Sequence, residues 1–471
     1  MARYLEIADG IATLIKSGAL RPGDAIPSVR EASTSHRVSK GTIVQAYGIL
    51  EMRGLIEPRP RSGYYVQGRQ LSSLLSPSAS LKRPRLVEIS RPQRIQTILS
   101  GLIRSPAISL GSSFPSHSLY PLQALNRALA ASGRRGTYID SIEDLQLGLP
   151  ELRRAIAQRY LKLGYSVPLS EIVITCGGME AISLSLQTVT KPGDVVVVDS
   201  PMFFSGLALI EHLQLRPIEM PVDPREGLNL SSLSDTLRRY PVTACLLMTN
   251  CQNPVGFTMS EEKKLELVAL LTKHRIPLIE NDVYGELQFG YRHIRAAKAF
   301  DQGGGVLHCG SFTKSLAPGY KIGWVSSGRF RDQLLGKKFI STLGTSIPPQ
   351  RAIAQYLDNS AYDRHLRQLR HKLMQQVNQM TDAVDKHFPK HTALTHPTGG
   401  YVIWVRLPEG CDAFSLFEQA ASMDIGIAPG PIFSASRAYR NFIRLNCGHP
   451  WSPSLERAVR WLGGVISRQL S

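Results

Sequence analysis

The sequence lacks the features that would tie a chain together covalently or carry it into a membrane. Its six cysteines, Cys176, Cys245, Cys251, Cys309, Cys411 and Cys447, are scattered through 471 residues with no CxxC pair. That pattern fits reduced core thiols better than a disulfide or zinc framework, and no metal site is expected. No apolar run approaches the length of a membrane span. The first residues mix Arg3, Glu6, Asp9 and Lys16 into the apolar pattern, unlike a secretory leader. Low-complexity tracts are missing too, which excludes wholesale disorder. The expected setting is cytoplasmic, without a membrane partner.

What is present is an ordinary globular composition, 43% hydrophobic and 20% charged, in a chain longer than a single core usually supports. Two or three domains are expected. The formal charge is +18, which suits a nucleic-acid partner, but its distribution says more than its total. Residues 1–66 hold nine Lys and Arg against six Asp and Glu, residues 67–105 seven against one, and the remainder 39 against 30. The middle stretch is the most basic per residue.

That stretch, residues 68–105, is rich in Pro and Ser and reads as a linker, with a short helix expected near Ile95–Ile103. As a flexible chain of roughly 38 residues it would span about 35 Å root-mean-square. Its cations suit either DNA phosphates or plain solvation. Beyond it, apolar runs such as Ile172–Thr175, Val195–Val198, Ala244–Thr249, Pro277–Glu280, Val306–Cys309 and Ile322–Val325 alternate with helical-period segments such as Glu151–Leu161 and Glu261–His274. Such alternation predicts an α/β domain with a mostly parallel sheet. From about Pro348, long helical patterns precede candidate strands at Gly400–Leu407 and Phe442–Leu445, predicting a smaller C-terminal α+β lobe.

At the amino end, residues 4–17 place Leu5, Ile7, Ala8, Ile11, Ala12, Leu14 and Ile15 on one helical stripe, ended by Gly18 and the turn at Arg21-Pro22-Gly23-Asp24. Ser28 can cap a second helix, and Ser39-Lys40-Gly41-Thr42-Ile43 opens a third, a helix-turn-helix arrangement. The alternating residues 56–66 predict two short strands around a tip bearing Arg59 and Arg61. Taken together, the segments Pro27-Ser28-Val29-Arg30-Glu31, Val38-Ser39-Lys40-Gly41-Thr42-Ile43 and Arg59-Pro60-Arg61-Ser62-Gly63-Tyr64-Tyr65-Val66 resemble the winged DNA-binding domain of the GntR family across residues 3–66. The resemblance implies that Arg30, Ser39, Lys40 and Thr42 meet phosphates and base edges of a double-stranded DNA operator, with Arg59 and Arg61 reaching from the wing. His36-Arg37 departs from it, standing where the family commonly has a small or glycine-containing turn.

The segment Gly310-Ser311-Phe312-Thr313-Lys314 through Tyr320-Lys321-Ile322-Gly323 places a lysine after a strand, among hydroxyls, with a second cation seven residues on. It resembles the lysine motif of fold-type I, class I aminotransferases. By that resemblance Lys314 forms the internal aldimine with pyridoxal 5'-phosphate, and Ser311, Thr313 and Lys321 hold the phosphate. Thr175-Cys176-Gly177-Gly178-Met179 follows a strand and opens a helix, so the N–H groups of Gly178 and Met179 suit the same phosphate. Phe203 is expected over the pyridine ring and Phe204 in the core. Asn253, in Asn253-Pro254-Val255-Gly256, and Tyr284 correspond to donors to the ring hydroxyl; Gly399-Gly400-Tyr401 looks like a family turn. Arg444 resembles the arginine that clamps a ligand α-carboxylate.

One departure bears on chemistry. In Glu280-Asn281-Asp282-Val283-Tyr284 the family's first aspartate, which faces the pyridine nitrogen, is replaced by Asn281. A neutral amide stabilises a pyridinium far less than a carboxylate does, so poor or no transamination is expected. Asp282 is a substitute for that role only if it leaves the other face of the strand. Lys321 likewise replaces an arginine. A GntR-type head (1–67), linker and aminotransferase-like domain (106–471) resemble the MocR subfamily of regulators. That implies a homodimer sensing an amine, amino-acid or vitamin effector; the alternative is a working class I aminotransferase with a DNA-binding head.

Overall fold

The structure, a computed structural model, describes residues 3–52, 54–59, 62–67, 74–77, 83–87, 106–134, 141–290, 293–358 and 360–470. Arg61, the helix expected near residues 95–103 and most of the expected linker (68–73, 78–82 and 88–105) lie outside the described residues. Packing divides the chain into two units: Met1–Leu74 with Phe289–His293, and Leu75–Gln288 with Ile294–Ser471. Among the described residues no helix is long and apolar enough to cross a membrane.

In the first unit, helices α1 (Arg3–Lys16), α2 (Val29–Ser35) and α3 (Lys40–Met52) are joined by strands β1 (Ala25–Ile26), β2 (Ile56–Arg59) and β3 (Gly63–Val66), in sheet order β1-β3-β2. The α3 sequence puts Ile43, Ala46, Tyr47 and Leu50 on one stripe, and all four are buried against Ile7, Ala8 and Ala12 of α1. The Tyr47 phenol would be stranded in that core without a partner, and it donates to the Pro27 carbonyl at 2.6 Å. Helix α2 opens on a capping box: Glu31 N–H donates to Ser28 Oγ (3.3 Å) and Ser28 N–H to the Glu31 carboxylate (2.8 Å). Between α2 and α3, Arg37 sits at φ +50°. The turn is therefore left-handed, a conformation that glycine adopts without strain, filled here by an exposed cation.

The second unit is built on a mixed sheet ordered β4-β8-β7-β10-β11-β12-β13-β6. Its strands are β4 (Arg85–Leu86), β6 (Ile172–Thr175), β7 (Val195–Ser200), β8 (Arg216–Asp223), β10 (Val242–Leu247), β11 (Leu278–Asn281), β12 (Val306–Ser311) and β13 (Gly323–Ser326), with β9 (Gly227–Leu228) paired to β8. Pairs from β8 through β12 are parallel, while β13 runs against both of its neighbours. Val195–Val198 are buried on both faces, as helix-covered parallel strands must be. A second, antiparallel sheet, β14 (Ala393–Leu394), β15 (Val402–Arg406), β18 (Phe442–Asn446) and β17 (Ala428–Pro429), forms the C-terminal lobe with helices Ala361–His387 and Pro453–Leu470. A short parallel pair, β5 (Ile108–Ser109) with β16 (Ile425–Gly426), ties the start of the unit to that lobe.

Strand β4 falls inside the stretch expected as a linker. It is an edge strand, Arg85 opposite Glu219 and Leu86 opposite Ile218. The reason is local: β8 has a free backbone edge there, and Leu86 finds apolar cover against the large core. Two residues give no periodicity, so the sequence carries no strand signal for them.

The carboxyl ends of β7, β11 and β12 deliver Ser200, Asn281 and Ser311 to one end of the sheet, where ligands of open α/β folds bind. Gly310, the residue before Ser311, faces the indole of Trp324 across the β12–β13 pair; a Cβ there would lie 2.2 Å from a ring carbon. A rigid ring between strands cannot yield. Gly310→Ala is expected to destabilise the protein by about 1–3 kcal/mol or more, as overpacking does, read as a lowered urea midpoint. An unchanged midpoint would show that the two strands separate freely.

Candidate functional site

The residues singled out after β12 converge. Lys314, in the turn beyond that strand, is half-buried, and its ammonium donates to the Ser113 carbonyl at 2.6 Å. It stands 3.9 Å from the ring centre of Phe114 and 5.9 Å from that of Tyr284. Burial, then repulsion by the cations of Arg444 and Lys321, pulls the Lys314 pKa down to about 7. Near neutrality much of it is a free amine.

Around the same turn lies an anion cradle. Gly177, at φ +81°, precedes helix Gly178–Val189 and supplies no side-chain cap, so the first N–H groups of that helix, Gly178 and Met179 among them, stay open to a ligand. A Cβ on Gly177 would lie 3.6 Å from Thr313 Oγ1 and 3.9 Å from Lys321 Cδ, and one on Gly178 would lie 3.4 Å from Ser311 Cβ. Those spacings bring the helix start, Ser311, Thr313 and Lys321 to one place. Ser311 and Thr313 share a hydroxyl contact of 2.8 Å. Lys321 is exposed and left-handed, φ +53°, at the end of the turn Pro318–Tyr320. The Met179 side chain points out to solvent, leaving only its backbone for the cradle.

On the other side Arg444, fully buried on β18, donates to Asn253 Oδ1 (3.1 Å), Ser113 Oγ (3.4 Å) and the Gly111 carbonyl. Burial lowers its pKa to about 10, and its Nε has no hydrogen-bond partner among the described residues. Its guanidinium lies 5.1 Å from the Phe433 ring and 5.9 Å from that of Phe204. Phe204, expected in the core, packs on the core's rim and reaches Arg444 as well. Phe203 is buried with its ring folded back on Gly206 of its own helix. The Tyr284 hydroxyl is buried, near Asn253 and Tyr401, without a hydrogen bond of good geometry among the described residues, and burial raises its pKa.

Asn281 and Asp282 diverge. Asn281 is buried at the end of β11, its Oδ1 accepting a long bond from Val283 N–H (3.5 Å). The Asp282 carboxylate is held in a different network, accepting from Asn250 Nδ2 (2.9 Å) and meeting His308 Nε2 (3.0 Å). That network continues from His308 to Tyr160 and Trp324. Asp282 is thus not drawn to Lys314, as alternation along the strand anticipates.

No motif marked the segment Gly111 to Phe114 in advance. Its carbonyls at Gly111 and Ser113 meet Arg444 and Lys314, Tyr401 donates to the Ser113 carbonyl (2.7 Å), and Asn446 holds Ser112 Oγ (3.1 Å) and the Phe114 carbonyl (2.8 Å). Asn446 stands two residues beyond Arg444, on the same strand face, and that spacing was the only available sign.

In the head, Arg30 and Lys40 are exposed at the starts of α2 and α3, and Ser39 Oγ caps α3 by accepting Thr42 N–H at 3.2 Å. Ser39, Lys40 and Thr42 therefore share one helix terminus. Arg59 is engaged internally, 3.1 Å from Glu57 and 4.3 Å above the Tyr65 ring.

Residues 3–66 match the family described as bacterial regulatory proteins, gntR family, and residues 107–461 match aminotransferase class I and II. The HTH-type transcriptional regulator YdcR of Escherichia coli is 41% identical over the whole of both chains, and YjiR of the same organism is 35% identical, again over the whole of both. A multiple substrate aminotransferase from Thermococcus profundus has the fold of the second unit: TM-score 0.74 at 25% identity, over 81% of this chain and 96% of that one. With an aminotransferase class I and II domain over most of its length and a gntR-family head before it, the chain belongs to the MocR-type transcription regulators.

Proposed function

We propose that this regulator holds pyridoxal 5'-phosphate in its aminotransferase-like domain and uses it to sense an amine, amino-acid or vitamin effector, turning it over poorly or not at all. The observation that carries the reading is the meeting of the helix start at Gly178, the hydroxyls of Ser311 and Thr313 and the cation of Lys321 beside the desolvated amine of Lys314. The residues suit the group. An uncapped helix start with two hydroxyls and a lysine suits a phosphate, and the unbonded Tyr284 hydroxyl beside Asn253 suits a ring oxygen.

When bound, the cofactor supplies an aldehyde carbon that captures amines and a ring that withdraws electrons from them. Lys314, with its pKa near 7, presents at neutral pH the unprotonated amine that attacks an aldehyde. Arg444 is the fork for an effector carboxylate, which would take over the contacts now made to Gly111 and Ser113. Asn281 offers the ring nitrogen an amide where a carboxylate would favour protonation, so removal of an α-proton is slowed while capture of the amine is not. In the head, Arg30, Ser39, Lys40 and Thr42 are the residues toward an operator, with Arg59 and Arg61 from the wing. A homodimer carrying two heads, joined through residues 68–105 to domains at 106–471, completes the proposal.

Three outcomes test it. Lys314→Ala should abolish the visible absorbance acquired with pyridoxal 5'-phosphate, and borohydride should fix label to Lys314 in the unmodified protein; label on Lys321 would reverse the two assignments. Arg30→Ala and Lys40→Ala should each weaken operator binding. A lost base contact should cost about 1–3 kcal/mol and relax preference at one position, and a lost phosphate contact should lower the salt slope by about one unit. Unchanged binding in both variants would sink the placement of α2 and α3. Asn281→Asp should raise the rate of half-transamination at least about tenfold while leaving ligand-free DNA binding as it was. Rapid turnover by the unmodified protein would restore the enzyme reading.

A further inference from the structure

The approach to the second unit is fastened at two points. The Leu75 carbonyl accepts from the backbone N–H of Leu394 on β14 at 3.1 Å, and Pro77 beside it is buried. Further on, β4 pairs with β8, the Val87 N–H donates to the Pro217 carbonyl at 3.0 Å, and Leu86 packs half-buried on the large core. One fastening is on each of the unit's two main sheets.

The strand that receives β4 also touches the candidate site. Glu219, opposite Arg85, is fully buried, and its carboxylate accepts from Ala435 N–H (2.8 Å), Ser436 N–H (3.2 Å), Ser436 Oγ (2.6 Å) and Ser200 Oγ (3.3 Å). Ser200 begins the segment leading to Phe203. Residues 435 and 436 follow Phe433, whose ring faces Arg444 and whose carbonyl accepts from Met202 N–H at 2.9 Å. A buried carboxylate is tolerated only while its donors stay in place. If an occupant of the site shifts residues 433–436, β8 at Glu219 has to follow. The two-residue ladder to β4, short by the standard of ordinary strands, is the element with least to resist that shift.

We propose that Glu219 is a positioning residue that couples the cofactor and effector site to the pairing of residues 85–87 with β8. The proposal rests on the cofactor reading above.

The test uses the full-length protein with pyridoxal 5'-phosphate as the probe, in the variants Leu86→Glu, Ser436→Ala and both together. Two quantities are read: the cofactor dissociation constant from a visible-absorbance titration, and the rate of tryptic cleavage of the Arg85–Leu86 bond by mass spectrometry. Loading with cofactor should change the cleavage rate at least about threefold in the unmodified protein and not in Ser436→Ala. Leu86→Glu, far from any cofactor contact, should shift the dissociation constant about threefold to tenfold, because coupling is reciprocal. The double variant should show no more than the larger single effect. Where Ser436→Ala does not fold, Glu219→Gln replaces it, with the same expectation.

A cleavage rate indifferent to cofactor, a dissociation constant within about twofold in Leu86→Glu, or full additivity in the double variant would each overturn the coupling. A missing absorbance band in the unmodified protein would instead overturn the cofactor reading, and the coupling with it.

Discussion

Both lysines of the candidate site depend on the antiparallel pair between β12 and β13. Gly310 opposite Trp324 and Ser311 opposite Gly323 close that pair, and Phe312 N–H donates to the Ile322 carbonyl at 3.0 Å just beyond it. The ten residues between Ser311 and Ile322 form a loop closed at its base. Lys314 lies near one end and Lys321 at the other, so neither reaches the site by a long mobile arm. β13 also pairs with β6, where Gly323 lies opposite Thr175, and the glycine helix start follows directly from that strand. One strand therefore sets the lysine turn and the N–H groups of helix Gly178–Val189 in common register. A Cβ on Gly323 would meet the backbone of Gly177 at 2.6 Å, which shows how close the two segments lie.

The electrostatics follow from that closeness. Lys314, Lys321 and Arg444 form no ion pair among the described residues, and the first and last are desolvated. Like charges gathered in a pocket without counter-ions favour whatever anions enter and push protons off the weakest base. The arginine stays a cation, since even a pKa of about 10 leaves it charged at neutrality, while the lysine, at about 7, is divided between ammonium and free amine. Under the proposed function the three cations divide the labour: two serve anions and one serves as a nucleophile.

How much of this was legible in the sequence depended on which atoms did the work. That Ser311, Thr313, Lys314 and Lys321 gather in one place was readable because they belong to one contiguous segment that resembles a family motif. The alternation of β11 was enough to anticipate that Asp282 would point away from Asn281. The segment Gly111 to Phe114 stayed hidden because it contributes backbone carbonyls, and any residue has one. Phe204 was read as core, and the structure makes it core and site rim together, a double role that hydrophobicity alone does not reveal. Strand β4 was missed for a third reason. Two residues carry no period, and what holds them is the free edge of β8, more than 130 positions away in the chain.

Asn281 shows how structure narrows the meaning of a substitution. Its Oδ1 accepts from Val283 N–H, a bond that an aspartate oxygen accepts equally well, so the fold does not require the amide. The neighbouring carboxylate is committed elsewhere: Asp282 is fixed by Asn250, itself bonded to the buried ammonium of Lys264, and by His308. Moving Asp282 toward the ring would remove one of the carboxylate attractions, second to that of Glu280, that offset the burial of the Lys264 cation. The neutral residue at 281 is therefore not compensated by the acid beside it, and the difference between amide and carboxylate falls on the chemistry at the ring nitrogen. Under the proposed function, capture of an amine and processing of it would then separate. A bound effector would persist, which is what a sensor that reports occupancy through its own geometry requires.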